Sequence, residues 1–150
     1  MAATRPSAPG EVAADFAPRL RLATMRLARL LRQHGDPGIS QSLISALATV
    51  ARCGPLTLGR LAELESVQPP SMTRIVAKLE DLGLVVRAVD DIDRRVARVS
   101  LTPAAVTLLA EVRIRRNEVL AARLGALGAD ELAALEAALP ALERLAGVQP

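Results

Sequence analysis

A set of polar side chains at helical spacing is the clearest candidate for chemistry in this sequence. Ser71, Arg74 and Lys78 stand at positions i, i+3 and i+7, with Thr73 beside them. They share one face of a helix if the apolar side chains of the same segment face inward. Those apolar side chains are Met72, Ile75, Val76, Leu79 and Leu82. An arginine fork can bridge O6 and N7 of guanine, so the pattern suits DNA recognition, and the alternative is a solvated helix face.

A second cluster of charged side chains lies further along the chain. Arg94 and Arg95 follow three aspartates, Asp90, Asp91 and Asp93, in a segment with the composition of a hairpin tip. The tip of a β-ribbon can carry an arginine into a minor groove, whose negative potential attracts it. The neighbouring acids then hold one arginine by ion pairing while the other projects. The alternative is a charged turn that binds nothing.

The residues needed for most hydrolytic and metal-centred chemistry are missing. The chain has one histidine, His34, and one cysteine, Cys53. A serine nucleophile would need His34 as its base, yet this histidine stands beside the loop-like segment 35–38. One cysteine can form no internal disulfide, and one cysteine with one histidine can form no Cys/His zinc cluster. We therefore expect no enzymatic activity, no cofactor and no metal site.

Length and composition predict one compact domain or one protomer. The chain has 150 residues, 51% of them hydrophobic and 23% charged. Its apolar runs are shorter than the roughly 18 to 20 residues that a bilayer span needs, and its first residues do not form a signal peptide, so we expect a cytoplasmic protein. The net charge is +3, while residues 57–100 carry seven basic and seven acidic side chains, so no uniform polyanion-binding surface is implied.

Helical periodicity predicts four helices in the first part of the chain. They cover residues 18–34, 40–53, 57–65 and 69–82, with Ser40 and Thr57 as N-caps and Gly83 after the last of them. The third and fourth are short, are joined by the turn 65–68, and the fourth begins with two prolines, which suit a first helical turn. Two helices in this arrangement are typical of a helix-turn-helix.

The second part of the chain predicts a β-hairpin and two more helices. Residues 84–89 and 96–101 have strand composition, and residues 90–93 are turn-like. Thr102 and Pro103 then start a long helix, and Asp130 marks the start of a last helix, which Pro140 should kink or loosen. The fold class is therefore mainly α with a small β-hairpin wing, preceded by a flexible arm at residues 1–10.

This order of motifs resembles the MarR family of winged-helix transcription regulators. The matching motifs are a short helix with Leu58-Gly59-Arg60-Leu61-Ala62, a helix from Ser71 to Leu84, Arg87, Asp90 with Asp93-Arg94-Arg95, and Val99-x-Leu101-Thr102. The long flanking helices fit as well, so the resemblance covers nearly the whole chain. It implies a winged helix-turn-helix at residues 38–102 and a helical dimerisation region at residues 11–37 and 103–150.

The resemblance also implies roles for individual residues. It places one recognition helix of a homodimer in each major groove of a palindromic operator, with Ser71, Thr73, Arg74 and Lys78 on the DNA. It places Arg94 in the minor groove, beside a wing braced by two further residues, Asp93 and Arg95.

Some members of this family release DNA when a small aromatic acid enters a pocket between the dimerisation and DNA-binding parts. Phe16 is the one aromatic residue here, so such a pocket would be largely aliphatic, and its ligand a small aromatic or lipophilic acid. Arg19 or Arg26 would serve as the carboxylate partner. Cys53 ends a helix among apolar residues, so we expect it to be buried and unreactive.

These observations predict a homodimeric, sequence-specific DNA-binding transcriptional regulator, a repressor rather than an activator, with relief by a small-molecule ligand as an open option. The alternative is a winged-helix module that binds a protein partner and no DNA, which the neutral charge of residues 57–100 leaves open.

Overall fold

The structure, a computed structural model, describes residues 9–34, 38–89 and 97–147, with the side chains of the first helix described from residue 14 onward. The elements within these residues are α1 (Pro9–Gln33), α2 (Gln41–Cys53), β1 (Leu56–Thr57), α3 (Leu58–Leu64), α4 (Pro69–Asp81), β2 (Val85–Val89), β3 (Ala97–Leu101), α5 (Pro103–Leu124) and α6 (Ala129–Leu145). The described part is mainly helical with a small antiparallel sheet, which confirms the predicted fold class.

α1 begins earlier than its periodicity predicted. It starts at Pro9, so the last two residues of the predicted arm already belong to the helix, and residues 1–8 lie outside the described residues. Proline suits a first turn because the amide it lacks would have no intrahelical partner there. Pro18, the predicted start, instead lies inside α1, where it removes one backbone hydrogen bond without ending the helix.

α2 has the predicted bounds and the predicted N-cap residue, Ser40, but the burial of Cys53 was predicted wrongly. The hydroxyl of Ser40, the N-cap residue, makes no capping bond and lies 3.0 Å from the hydroxyl of Ser42 instead. Cys53 is exposed rather than buried. It is the last residue of α2, and the chain turns away directly after it at Gly54, whose φ of +78° favours glycine.

The sheet contains a strand that the sequence did not predict. Its order is β1-β3-β2, with antiparallel neighbours, and β3 pairs Val99 with Leu56 on one side and with Arg87 on the other. β1 has two residues, too few to show an alternating pattern. The predicted hairpin strands are confirmed, whereas residues 90–96 between them lie outside the described residues.

The core joins α2, α3, α4 and the sheet. Its largest fully buried side chains are Leu47, Leu61, Met72, Val76, Leu79 and Val99. Leu82 was predicted to face this core and is 43% exposed, because α4 ends at Asp81 and Leu82 leaves the helical stripe as the C-cap residue. Gly83 follows with a φ of +68°, which a glycine adopts without strain.

α5 and α6 follow the winged part and leave much apolar surface uncovered. α5 begins after its predicted N-cap, Thr102, and α6 runs on through Pro140 as one helix. No residue of α6 is buried, and its exposed leucines are Leu132, Leu135, Leu139 and Leu145. Within the described residues, no helix is long and apolar enough to cross a membrane.

Candidate nucleic-acid interface

The turn between α3 and α4 is built from backbone hydrogen bonds. The hydroxyl of Thr57 accepts a bond of 3.2 Å from the amide of Arg60 and so starts α3. At the other end the amide of Val67 donates to the carbonyl of Ala62 at 3.0 Å, around Ser66, whose φ is +53°. This left-handed residue closes the turn tightly enough for α4 to begin three residues later.

The first turn of α4 is fixed by two prolines and by one backbone carbonyl that accepts two hydrogen bonds. The carbonyl of Gln68 accepts from the amides of Ser71 and Met72 at 2.9 and 3.1 Å, while Pro69 and Pro70 occupy the first turn. Proline fixes φ near its helical value, so the start of α4 is held rigidly. A rigid start matters for recognition, because the first turns of such a helix are the part that meets base edges.

The two faces of α4 differ as the sequence predicted. Met72, Val76 and Leu79 are buried, and the opposite side exposes the predicted DNA-contacting side chains, Ser71, Thr73, Arg74 and Lys78. Neither Arg74 nor Lys78 forms an ion pair with a carboxylate among the described residues. Both charges are therefore available for an anionic partner.

Thr73 has less freedom than the sequence suggested. Its hydroxyl donates a hydrogen bond of 3.0 Å to the carbonyl of Pro69. The hydroxyl proton is thus directed at the backbone, and the lone pairs of the oxygen remain open to accept a bond. A base amino group suits this side chain better than a phosphate, which offers only acceptors.

The strands β2 and β3 form the base of the wing. Arg87 on β2 makes a 2.9 Å ion pair with Glu80 in the last turn of α4, and Arg98 is exposed on β3. The predicted tip residues Asp93, Arg94 and Arg95 lie outside the described residues. The roles expected of these three residues stay predictions.

Hydrogen bonds of Thr102 connect the end of α4 to the start of α5. Its hydroxyl donates to the carbonyl of Gly83 at 2.7 Å and accepts from the amide of Ala105 at 3.3 Å. Its own amide donates to the carbonyl of Leu84 at 3.0 Å. One residue thus fixes the end of α4 to the start of the long helix α5.

A cavity of about 650 Å³, here called the α1–α2–α5 cavity, opens on the other side of α2. Its apolar lining consists of Leu31, Ile44, Ala48, Ala51, Leu101, Val106, Leu109, Ala110 and Val112, and its polar lining consists of Arg52, Arg113, Arg116 and Asn117. No carboxylate is among these lining residues. An apolar cavity with several arginines and no acid has the composition of a site for an apolar anion.

The three residues predicted for a ligand pocket lie elsewhere. Phe16, Arg19 and Arg26 are exposed on α1 and do not line this cavity. The sequence missed Arg113 and Arg116 because their distance from α2 depends on how α5 packs. One signal was present, since Leu109, Val112 and Arg116 stand at i, i+3 and i+7 and so share a face of α5.

Two arginines of the cavity connect to other parts of the molecule. Arg116 donates to the side-chain oxygen of Gln41 at 3.2 Å, and its Nε is buried without a hydrogen-bond partner among the described residues. Arg52 donates to the hydroxyl of Thr49 at 3.3 Å, and that hydroxyl donates to the carboxylate of Glu65 at 2.5 Å. Glu65 is the C-cap of α3, so this chain of bonds runs from the cavity to the helix-turn-helix.

The sequence also matches a known protein family and several known transcriptional regulators. Residues 39–97 match the model of the MarR family. The chain is 41% identical over 138 residues to the HTH-type transcriptional regulator Mb0904 of Mycobacterium bovis, which covers 91% of this chain and 96% of that protein. It is 31% identical over 103 residues to the HTH-type transcriptional repressor MdtR of Bacillus subtilis, which covers 69% of this chain and 66% of that protein.

A solved structure shows the same fold with DNA present. A mutant MepR of S. aureus bound to an oligodeoxyribonucleotide superposes with a TM-score of 0.67 at 19% identity, over 89% of this chain and 98% of that one.

Proposed function

Because this chain is a DNA-binding transcriptional regulator of the MarR family, we propose that it is a repressor that binds a palindromic operator as a homodimer. The family consists of transcription regulators, so the chain is not an enzyme. A repressor of this kind acts in the cytoplasm, where bacterial DNA is found. It lowers transcription because a dimer bound across a promoter occupies the surface that the polymerase needs.

One observation carries this proposal: the unpaired charges on the outer face of α4. Arg74 and Lys78 are exposed, form no ion pair with a described carboxylate, and lie on a helix whose other face is fixed in the core by Met72, Val76 and Leu79. A charged side chain on a rigid helix after a tight turn is suited to the major groove.

Each predicted contact residue has a distinct role in the proposal. Arg74 reads a guanine through its fork, Lys78 contacts a phosphate, and Ser71 near the helix start reaches a phosphate or base edge. Thr73 accepts a bond from a base amino group, as its contact with Pro69 allows.

At the wing tip, Arg94 enters the minor groove. Asp93 and Arg95 brace the tip by pairing with each other.

The dimer is supported by apolar surface that one protomer leaves uncovered. Phe16, Leu27 and Leu139 are 55%, 43% and 51% exposed, although α1 and α6 have long leucine stripes. Exposed apolar area of this extent is typical of an obligate interface between subunits.

Charge complementarity between α1 and α6 points to the same dimer. Residues 14–33 of α1 contain five arginines and one acid, and α6 contains four acids and one arginine. None of the five arginines of α1 makes an ion pair with another described residue. In the proposed dimer the basic α1 of one protomer lies against the acidic α6 of its partner, which fixes their register.

The α1–α2–α5 cavity is the proposed site of an inducing ligand. A small lipophilic or aromatic acid fits its chemistry, because the apolar lining surrounds the body of the ligand and Arg52, Arg113 and Arg116 donate hydrogen bonds to its carboxylate. The unpaired Nε of Arg116 is a donor that such a carboxylate would satisfy. Arg19 and Arg26, the carboxylate partners expected from the sequence, do not line this cavity.

The same cavity is connected to the DNA-binding part through Arg52. A carboxylate that draws Arg52 away from Thr49 weakens the hydrogen bond from Thr49 to Glu65, at the end of α3. A shift at that point changes the spacing of the two α4 helices in the dimer. A ligand can release DNA in this way only if it binds the shifted state more tightly than the DNA-bound state.

Selection from random-sequence DNA by the purified protein, at about 150 mM salt, tests the proposal. We expect enrichment of a palindrome with half-sites about one helical turn apart, roughly 10 base pairs from centre to centre. A protein that enriches no sequence and shows only weak, salt-sensitive binding would support the alternative of a winged-helix module for a protein partner.

A further inference from the structure

An ion pair joins α4, the proposed recognition helix, to the base of the wing. Nη2 of Arg87, on β2, lies 2.9 Å from Oε2 of Glu80, in the last turn of α4. The two side chains are 31% and 34% exposed, so the pair is partly shielded from water. The backbone connects the same two elements through the short segment 82–84, with Gly83 in the left-handed conformation. α4 and β2 are thus joined by this segment and by the ion pair, and both contribute buried side chains to the core, among them Leu79 and Val85.

The position of Arg87 along β2 makes the ion pair important for the direction of the wing. Val85 is buried and begins the strand, whereas the four residues after it, Arg87 among them, are exposed. Arg87 pairs with Val99, which is fully buried at the centre of the sheet. Ala88 pairs with Arg98, the last residue of β3 that also pairs with β1, and beyond Ala88 the strands β2 and β3 pair only with each other. The ion pair therefore lies one residue before the hairpin leaves the three-stranded part of the sheet.

We infer that Glu80 and Arg87 are positioning residues that set the angle between the reading helix and the wing. The inference deepens the proposed function and rests on it. An error in angle at the base of a hairpin grows with distance from that base. A small rotation at Arg87 therefore moves the part of the wing that meets DNA by much more than it moves β2 itself.

If the pair served only to stabilise the fold, its loss would lower thermal stability and would lower DNA affinity equally on all flanking sequences. Partly exposed ion pairs contribute little to folding stability. If the pair instead positions the wing, its loss should change the melting temperature slightly and the DNA affinity strongly. The effect on affinity should also depend on the flanking DNA, because only the wing is misplaced while α4 stays fixed by its buried stripe.

The test uses Glu80→Gln, Arg87→Gln and the double variant on two DNA duplexes. Both duplexes carry the selected half-sites, and their flanks are A·T-rich in one and G·C-rich in the other. We expect each single variant to lose about tenfold in affinity on the A·T-flanked duplex and less than twofold on the other. The double variant should lose no more than either single variant, because both remove the same ion pair. The melting temperature should fall by no more than about 3 °C.

Glu63→Gln is the matched control, since it also breaks a 2.9 Å ion pair with an arginine, Arg60, but within α3. It removes the same charge as Glu80→Gln and should lose less than twofold on both duplexes.

Three results would overturn the inference and leave the proposed function standing. They are equal losses of DNA affinity in the Glu80 and Glu63 variants, additive losses in the double variant, and losses that do not depend on the flanking sequence. A wild-type protein that selects no DNA sequence would overturn both.

Discussion

The hydroxyl of Thr102 donates a 2.7 Å hydrogen bond to the carbonyl of Gly83, across the gap between α5 and α4. The same oxygen caps α5 by accepting from the amide of Ala105. The end of the proposed reading helix and the start of the long helix α5 therefore share one side chain. A movement of α5 in a dimer is transmitted to α4 at this point.

Replacement of Thr102 by valine should destabilise the protein by about 2 kcal/mol, because it removes one capping bond and one further hydrogen bond of about 1 kcal/mol each. Thr102→Ser keeps the hydroxyl and should cost at most about 0.5 kcal/mol. Urea unfolding at one fixed protein concentration measures both, since the stability of a dimer depends on concentration. Equal stability of the two variants would show that the hydroxyl bonds contribute nothing.

Ser66→Gly should stabilise the protein by about 0.5 to 1 kcal/mol. Ser66 has a φ of +53°, a left-handed conformation that costs an L-residue energy and a glycine little. Ser66→Ala keeps the Cβ and is the control, with little expected change. The unfolding midpoints of both variants provide the measurement. A glycine variant less stable than the alanine variant would mean that the serine side chain itself holds the turn.

The sequence predicted those parts of the fold that depend on local signals. Thr57 and Thr102 as caps, Gly83 after α4 and the buried stripe with Met72 are all confirmed, because each is set by residues within one or two helical turns. The helix-turn-helix followed directly from them.

Features that depend on packing between distant segments were missed. β1 is defined only by its pairing with β3, and the arginines of the cavity meet only when α5 packs on α2. The exposure of Cys53 similarly depends on where the chain turns after α2. No local pattern carries that information.

Removal of residues 129–150 should abolish dimerisation, since α6 has no buried residue of its own in the protomer. Sedimentation of the truncated and full chains measures this. The full-length dimer should also dissociate more readily at 1 M salt than at 0.1 M, because salt screens the charges of α1 and α6. A truncated chain that still sedimented as a dimer would place the interface elsewhere.

Octanoate should bind the wild-type protein and weaken its affinity for DNA, and octanol, which lacks the charge, should do neither. Arg116→Met should lower the affinity for octanoate by about tenfold, the effect expected for one charge-assisted hydrogen bond. Arg123→Met is the matched control, because Arg123 is exposed on the same helix α5 and does not line the cavity. Calorimetric titration measures each affinity. An equal response to octanoate and octanol, or equal losses of octanoate affinity in the two variants, would show that the cavity is not the binding site.

Whether α4 reads base sequence is decided by comparing the sequence preferences of the Arg74→Ala and Lys78→Ala variants. We expect Arg74→Ala to lose about 1 to 3 kcal/mol of discrimination at one base pair in each half-site and to retain its affinity for random DNA. Lys78→Ala should keep the wild-type preference and reduce the slope of log K against log salt by about 2 per dimer. If Arg74→Ala weakened binding to all sequences alike, the reading role of α4 would be contradicted.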